Sequence, residues 1–142
     1  QIVGFSTGNE QAPVEAVMSA AQLSDIRAQV RDIAVARHVQ DFAIRVVLAT
    51  HPDNETATAE VRRYVRHGAS PRGLLAMILG AKARAFMDGR LNVSFDDLKS
   101  GAAAALRHRV LLNFEGEADG MDIDSLVTQI VEEIPVAQAA AT

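Results

Sequence analysis

Gly68-Ala69-Ser70-Pro71-Arg72 divides a polar, basic segment from a long apolar one and reads as the start of a helix. Ser70 stands where a side-chain oxygen can cap exposed backbone N–H groups. Pro71 stands at the first helical position, which has no use for an amide hydrogen. Downstream, Leu74, Leu75, Ile78, Ala81, Ala85 and Phe86 recur at helical spacing, and Asp88-Gly89 supplies a stop. A long helix from Pro71 to about Asp88, central to an all-α domain, is the reading from which the rest follows.

On the C-terminal side, Ser94-Phe95-Asp96-Asp97 reads as an N-cap with an acid at the third helical position, and Leu98, Ala102, Ala105 and Leu106 carry the helix onward. Arg107-His108-Arg109 bends into the apolar Val110-Leu111-Leu112 and a turn-rich Asn113–Glu117 stretch. Asp124 is expected to cap a last helix bearing Leu126, Val127, Ile130, Val131 and Ile134, which Pro135 ends.

On the N-terminal side, Val39, Phe42, Ala43, Val46 and Val47 form an apolar stripe over about Arg37–Thr50, and His51-Pro52 closes it. Before that, Leu23, Ile26, Val30 and Ile33 predict a helix over about Ser19–Asp32. Within 52–67, the run Val61-Arg62-Arg63-Tyr64-Val65-Arg66-His67 fits either a short basic helix or an extended segment. Residues 1–18 read as an irregular lead-in, 19–135 as one helical domain and 136–142 as a loose tail. No repeat of 20 to 50 residues is visible, so an antiparallel bundle of about five helices is the expected architecture.

The composition agrees. Hydrophobic residues make up 49% of the 142 and aromatic residues only 4%, which favours helices packed through small aliphatic side chains. A formal net charge of −4 gives no overall positive field for a polyanion. The lack of cysteine excludes a disulfide framework and thiol catalysis and fits a reducing compartment, with the cytoplasm the simplest assignment. No apolar run approaches the roughly 20 residues of a membrane span.

Catalytic signatures are absent. The two lysines, Lys82 and Lys99, do not follow a glycine, so there is no Gly-Lys-Ser/Thr phosphate loop. His38, His51, His67 and His108 form neither His-x-x-x-His nor His-Glu-x-x-His, so no metal site is expected. The serines form no nucleophile elbow, and Asp96-Asp97 has the ordinary reading of a helix N-terminus. Arg72 differs, because it sets a guanidinium in a first helical turn, where N–H groups and the helix dipole also favour an anion. Locally, a solvated arginine on a good helix start explains the same residues.

The wider series is more specific: Tyr64 through Arg72, then Asp88-Gly89-Arg90, then Val93-Ser94-x-x-Asp97-Leu98, then Leu106-Arg107-His108-Arg109-Val110-Leu111. This order resembles the C-terminal lid of MoxR-family AAA+ ATPases from about Leu23 to Pro135. The resemblance implies a small helical bundle beside an N-terminal α/β nucleotide-binding module of the same chain. It also implies a role for Arg72 as the sensor 2 arginine, with Gly68, Ser70 and Pro71 positioning it. ATP and Mg²⁺ would be bound by the parent protein and none by this fragment alone, which lacks the phosphate loop and is expected to be inactive by itself. A homo-oligomeric ring, commonly hexameric, acting on a client protein as a chaperone is further implied.

Arg107, His108 and Arg109 would face a neighbouring module or subunit. A basic turn compensating a helix dipole explains them equally, and His108 also fits a hydrogen-bonded core position. Two other readings compete: a free-standing helical interaction module without nucleotide binding, and a DNA-binding domain using Arg62, Arg63, Arg66 and Arg72 as a basic patch. The net charge disfavours the second, and no nucleic-acid partner is expected.

Overall fold

The structure, a computed structural model, describes residues 15–136. Of the expected lead-in over 1–18, only 15–18 are described, and they carry no regular structure. Apart from Val136, the expected tail over 136–142 lies outside the described residues. The described chain runs α1 (Ala20–Asp32), α2 (Arg37–Ala49), α3 (Ala59–Tyr64), β1 (Val65–His67), α4 (Pro71–Met87), α5 (Phe95–Leu106), β2 (Leu111–Leu112), α6 (Phe114–Ala118) and α7 (Ile123–Glu133). The all-α expectation holds. The five long helices are those expected, while α3 and α6 add two short ones among the described residues. The ambiguous 61–67 segment turns out to be both a short basic helix and an extended strand.

Apolar periodicity builds the core. The α2 stripe buries Val39, Phe42, Ala43, Val46 and Val47; α4 contributes Met77, Ala81 and Ala85; α5 contributes Leu98, Ala102 and Leu106; α7 contributes Leu126, Val127, Ile130 and Val131. Phe42 is fully buried and meets Phe95 edge to face, with ring centroids 5.4 Å apart. Alanines on the facing sides of α4 and α5 let these two helices form the most extensive contact in the fold. The helix α1 behaves differently. Its stripe of Leu23, Ile26 and Val30 is not fully buried anywhere, and only Ile33, just past its end, enters the core.

Helix ends are fixed by local chemistry. Ser19 and Gln22 form a reciprocal capping box on α1, and Ser94 and Asp97 form another on α5. The cap of α7 is Asp122 rather than the expected Asp124: its carboxylate accepts from the Asp124 and Ser125 N–H groups at 3.3 and 3.0 Å. Asp122 has the extended backbone a cap requires, whereas Asp124 already lies in the first turn and pairs with Arg107 at 2.9 Å.

Asp97 does more than cap. It is 2% exposed, and both its oxygens accept from Arg90, each at 2.7 Å, so the loop after α4 is fastened to the start of α5. The Arg90 guanidinium holds the Asp97 carboxyl well below the usual carboxylate range. Arg90 also pairs with Asp88, and it is held charged throughout the accessible pH range.

A small antiparallel ribbon pairs the segment after α3 with the segment after α5, Val65 opposite Leu112 and His67 opposite Leu111, with an irregularity between them. Around it, Arg62 donates to the carbonyls of Pro52, Asn54 and Glu55, and Arg63 pairs with Glu115 and Asp119. Two of the four arginines of the supposed basic patch are thus committed inside the domain. No described helix is long and apolar enough to cross a membrane.

Two outcomes follow. Phe42→Ala should cost about 3–5 kcal/mol in urea unfolding, because the cavity lies at the meeting point of α2 and α5; a loss below about 1 kcal/mol would contradict this packing. Asp97→Ala should cost about 2 kcal/mol at neutral pH by removing the buried acceptor shared by Arg90 and the Ser94 cap, with Arg90 keeping only the exposed Asp88. Because the folded-state pKa of Asp97 is depressed, its contribution is complete above about pH 4 and drains away as acid protonates it. The difference between wild type and variant should therefore shrink as pH falls below about 4.

Candidate functional site

The site is built at the junction of α2, the ribbon and α4. Thr50 follows the last residue of α2 and continues its buried stripe, one turn beyond Val46 and Val47. A hydroxyl there is fully buried and must find partners. It donates to the Val47 carbonyl at 2.6 Å and accepts the Ala69 N–H at 2.9 Å. On the other side of Ala69, its carbonyl lies 3.0 Å from His51 Nε2. Since a carbonyl can only accept, Nε2 carries the proton.

Gly68 completes this clamp. A Cβ at Gly68 would stand 2.7 Å from the His51 ring and 2.7 Å from the Thr50 carbonyl oxygen, so only glycine lets the chain pass this close to the end of α2. The backbone of Gly68-Ala69 is therefore held against α2 immediately before α4 begins.

Pro71 occupies the first position of α4, as expected. Ser70 holds the N-cap position with extended backbone, but its hydroxyl makes no capping bond. The reason is local. The third-position N–H, that of Gly73, is already taken by the Ser70 carbonyl at 2.7 Å, and Pro71 has no N–H to offer. The start of α4 thus remains without a side-chain cap, unlike α1, α3, α5, α6 and α7.

Arg72 follows at the second position of α4, exposed and with no hydrogen bond or ion pair to a described residue. Its backbone is fixed and its guanidinium is open. On the next residue, a Cβ at Gly73 would stand 3.0 Å from a Leu106 methyl and 3.2 Å from Arg109 Cδ. This close approach brings the Gly-Ala-Ser-Pro-Arg and Leu-Arg-His-Arg segments together, although 37 positions separate Arg72 from Arg109.

The three residues 107–109 divide their roles. Arg107 Nε reaches the Ala103 carbonyl at 3.4 Å and its other end pairs with Asp124, while Arg109 Nε donates to the Ala105 carbonyl at 3.2 Å. Both therefore satisfy terminal carbonyls of α5, the ordinary work of cations at a helix C-terminus. His108 is exposed, which rules out the core position considered for it, and it borders a groove of about 440 Å³ between α4 and α5. Among the described residues no group of three or more His, Asp or Glu is placed to hold a metal ion.

In the sequence, Thr50 and His51 mark only the end of α2. The signal that exposes Thr50 is its place in the apolar stripe, since a buried hydroxyl at that register demands a partner from another segment. Nothing in the sequence marks His51 as the second arm.

Residues 57–133 match the AAA lid domain family. The chain is 30% identical over 101 residues to "Chaperone MoxR1" of Mycobacterium tuberculosis, covering 71% of this chain and 27% of that protein. It is 25% identical over 131 residues to "Uncharacterized protein YeaC" of Bacillus subtilis, covering 89% of this chain and 38% of that protein. With "Protein MoxR" of Paracoccus denitrificans it shares 30% identity over 83 residues, covering 57% of this chain and 24% of that protein. A crystal structure of a candidate ATPase from Cytophaga hutchinsonii superposes with a TM-score of 0.83 at 27% identity, covering 94% of this chain and 40% of that one. The chain thus spans well under half the length of the relatives it matches. On the family match, the relatives and the fold together, the chain belongs to the AAA lid domains, in the form carried by MoxR-family AAA+ ATPases.

Proposed function

We propose that this domain is the nucleotide-sensing lid of a MoxR-type ATPase, with Arg72 as its sensor 2 arginine. The observation that carries this reading is an exposed guanidinium without a partner among the described residues, on a helix start whose backbone is clamped from below. An arginine so mounted can reach the terminal phosphate of a nucleotide held by another module and spread its planar donors over phosphate oxygens. The uncapped first turn of α4 adds a favourable dipole at the same place.

In this reading ATP and Mg²⁺ are held by the α/β nucleotide-binding module of the same polypeptide, and the lid contributes Arg72. Contact with the terminal phosphate stabilises charge during phosphoryl transfer. Its loss after hydrolysis releases the lid, which converts nucleotide state into a change of angle between lid and module. Rings of such subunits would use that movement to remodel or assemble client protein complexes in the cytoplasm, in keeping with a relative named as a chaperone.

Gly68 and Pro71 act here as positioning residues, fixing where α4 begins, and Ser70 supplies backbone rather than a hydroxyl contact. The commitment of Arg62 and Arg63 within the domain weakens the DNA-binding alternative by removing half of its basic patch.

In the full-length ATPase, Arg72→Ala should lower ATP turnover by at least about tenfold, short of the roughly 10³-fold effects of trans-acting arginine fingers. Because the side chain is exposed, the unfolding free energy should change by less than about 0.5 kcal/mol. A ring of Arg72→Ala subunits with full turnover would refute the sensor assignment.

A further inference from the structure

We infer that Thr50 and His51 are positioning residues for Arg72, acting through their two-sided hold on the Ala69 peptide; this rests on the sensor reading of Arg72. Three observations meet at one peptide unit. The Ala69 N–H is held by a fully buried hydroxyl at 2.9 Å, its carbonyl is held by an imidazole at 3.0 Å, and the residue before it has no room for a Cβ.

Between Ala69 and Arg72 lie only Ser70 and Pro71, and the proline ring locks φ of the second. Few soft backbone dihedrals separate the clamp from the Arg72 Cα, so the orientation of the Ala69 peptide is passed forward to the base of the arginine side chain with little loss. Over a span of roughly 10 Å, a tilt of about 10° at Ala69 displaces the Arg72 Cα, and with it the volume the guanidinium can reach, by on the order of 2 Å. Misplacement by about 1 Å can cost roughly 10²-fold in a positioned reaction.

The clamp also has a rear anchor. The Thr50 hydroxyl donates to Val47 at 2.6 Å, and Val47 belongs to the turn of α2 that sits in the core. The peptide that leads into Arg72 is thereby tied to α2 by a chain of two hydrogen bonds, while Arg72 itself stands on α4. A displacement of the backbone at the start of α4 is resisted by α2 and felt by it.

The test uses the full-length ATPase and measures ATP turnover of Thr50→Val, Thr50→Ser and His51→Ala, each alone and combined with Arg72→Ala. Valine keeps the shape of Thr50 and removes its hydrogen bonds, whereas serine keeps the hydroxyl. Thr50→Val and His51→Ala should each lower turnover by about fivefold or more, and Thr50→Ser should stay within about twofold of wild type. In the Arg72→Ala background the same clamp substitutions should change turnover by less than about twofold, because the residue they act through is gone.

A purely structural role would lower turnover by the same factor in both backgrounds, and that outcome overturns the proposal. Wild-type turnover in both Thr50→Val and His51→Ala also overturns it, while leaving the sensor reading intact if Arg72→Ala is impaired. Full turnover of Arg72→Ala alone defeats the sensor reading and the clamp with it. Should Thr50→Val fail to fold, the half-buried His51→Ala pair decides alone.

Discussion

The closest constraint in this fold is the buried carboxylate of Asp97. A charged group in the interior is tolerable only when its oxygens are satisfied, and here Arg90 and the Ser94 backbone and hydroxyl supply the donors. The donors come from the loop after α4 and from the cap of α5. The polar cluster can therefore form only when the corner between these helices is closed. With that corner fixed, the alanine-rich faces of α4 and α5 are brought into register, α5 presents Leu106 to the far end of α4, and Gly73 receives it. The start of α4, where Arg72 stands, is thus located from both ends of the helix pair.

The second hold on that start comes from α2. The α2–Ala69 clamp and the α4–α5 corner restrain the same helix from different sides, one through hydrogen bonds to a single peptide and one through an ion pair. Neither uses the arginine itself. Arg62, Arg63, Arg90 and Arg107 are all spent on structural partners, whereas Arg72, like Arg27, Arg31, Arg37 and Arg66, is exposed with no side-chain partner among the described residues. Its place shortly after a clamped peptide, in the first turn of α4, distinguishes Arg72 from those other exposed arginines.

Much of this was legible in the sequence because it rests on short-range chemistry. The stripes of α2, α4, α5 and α7, the Ser94–Asp97 box and the proline at the start of α4 all involve residues within a few positions of one another, where periodicity and capping rules apply. The misreadings of caps arose where two neighbouring groups compete for one role, and the omissions where a distant partner decides. Ser70 looks like a cap, but the Gly73 N–H is claimed by a backbone carbonyl. Asp124 looks like a cap, but Asp122 has the required backbone and Arg107 claims Asp124. The ribbon between 65–67 and 111–112 pairs segments more than 40 positions apart, and the grip of Thr50 and His51 on Ala69 spans 18 or more, so neither leaves a local pattern.

The helix α1 is secured mainly at its extremities: a capping box at its start, and at its end Ile33 in the core with Ala34 bridged to Asn92. Thirteen residues of helix with no fully buried side chain have little cooperative tie to the rest, since short helices are marginal without tertiary packing. Its amide protons should therefore exchange through a local opening of lower free energy than that of the core helices. The first helix can then tilt or fray while α2, α4 and α5 stay closed, which leaves the mounting of Arg72 undisturbed.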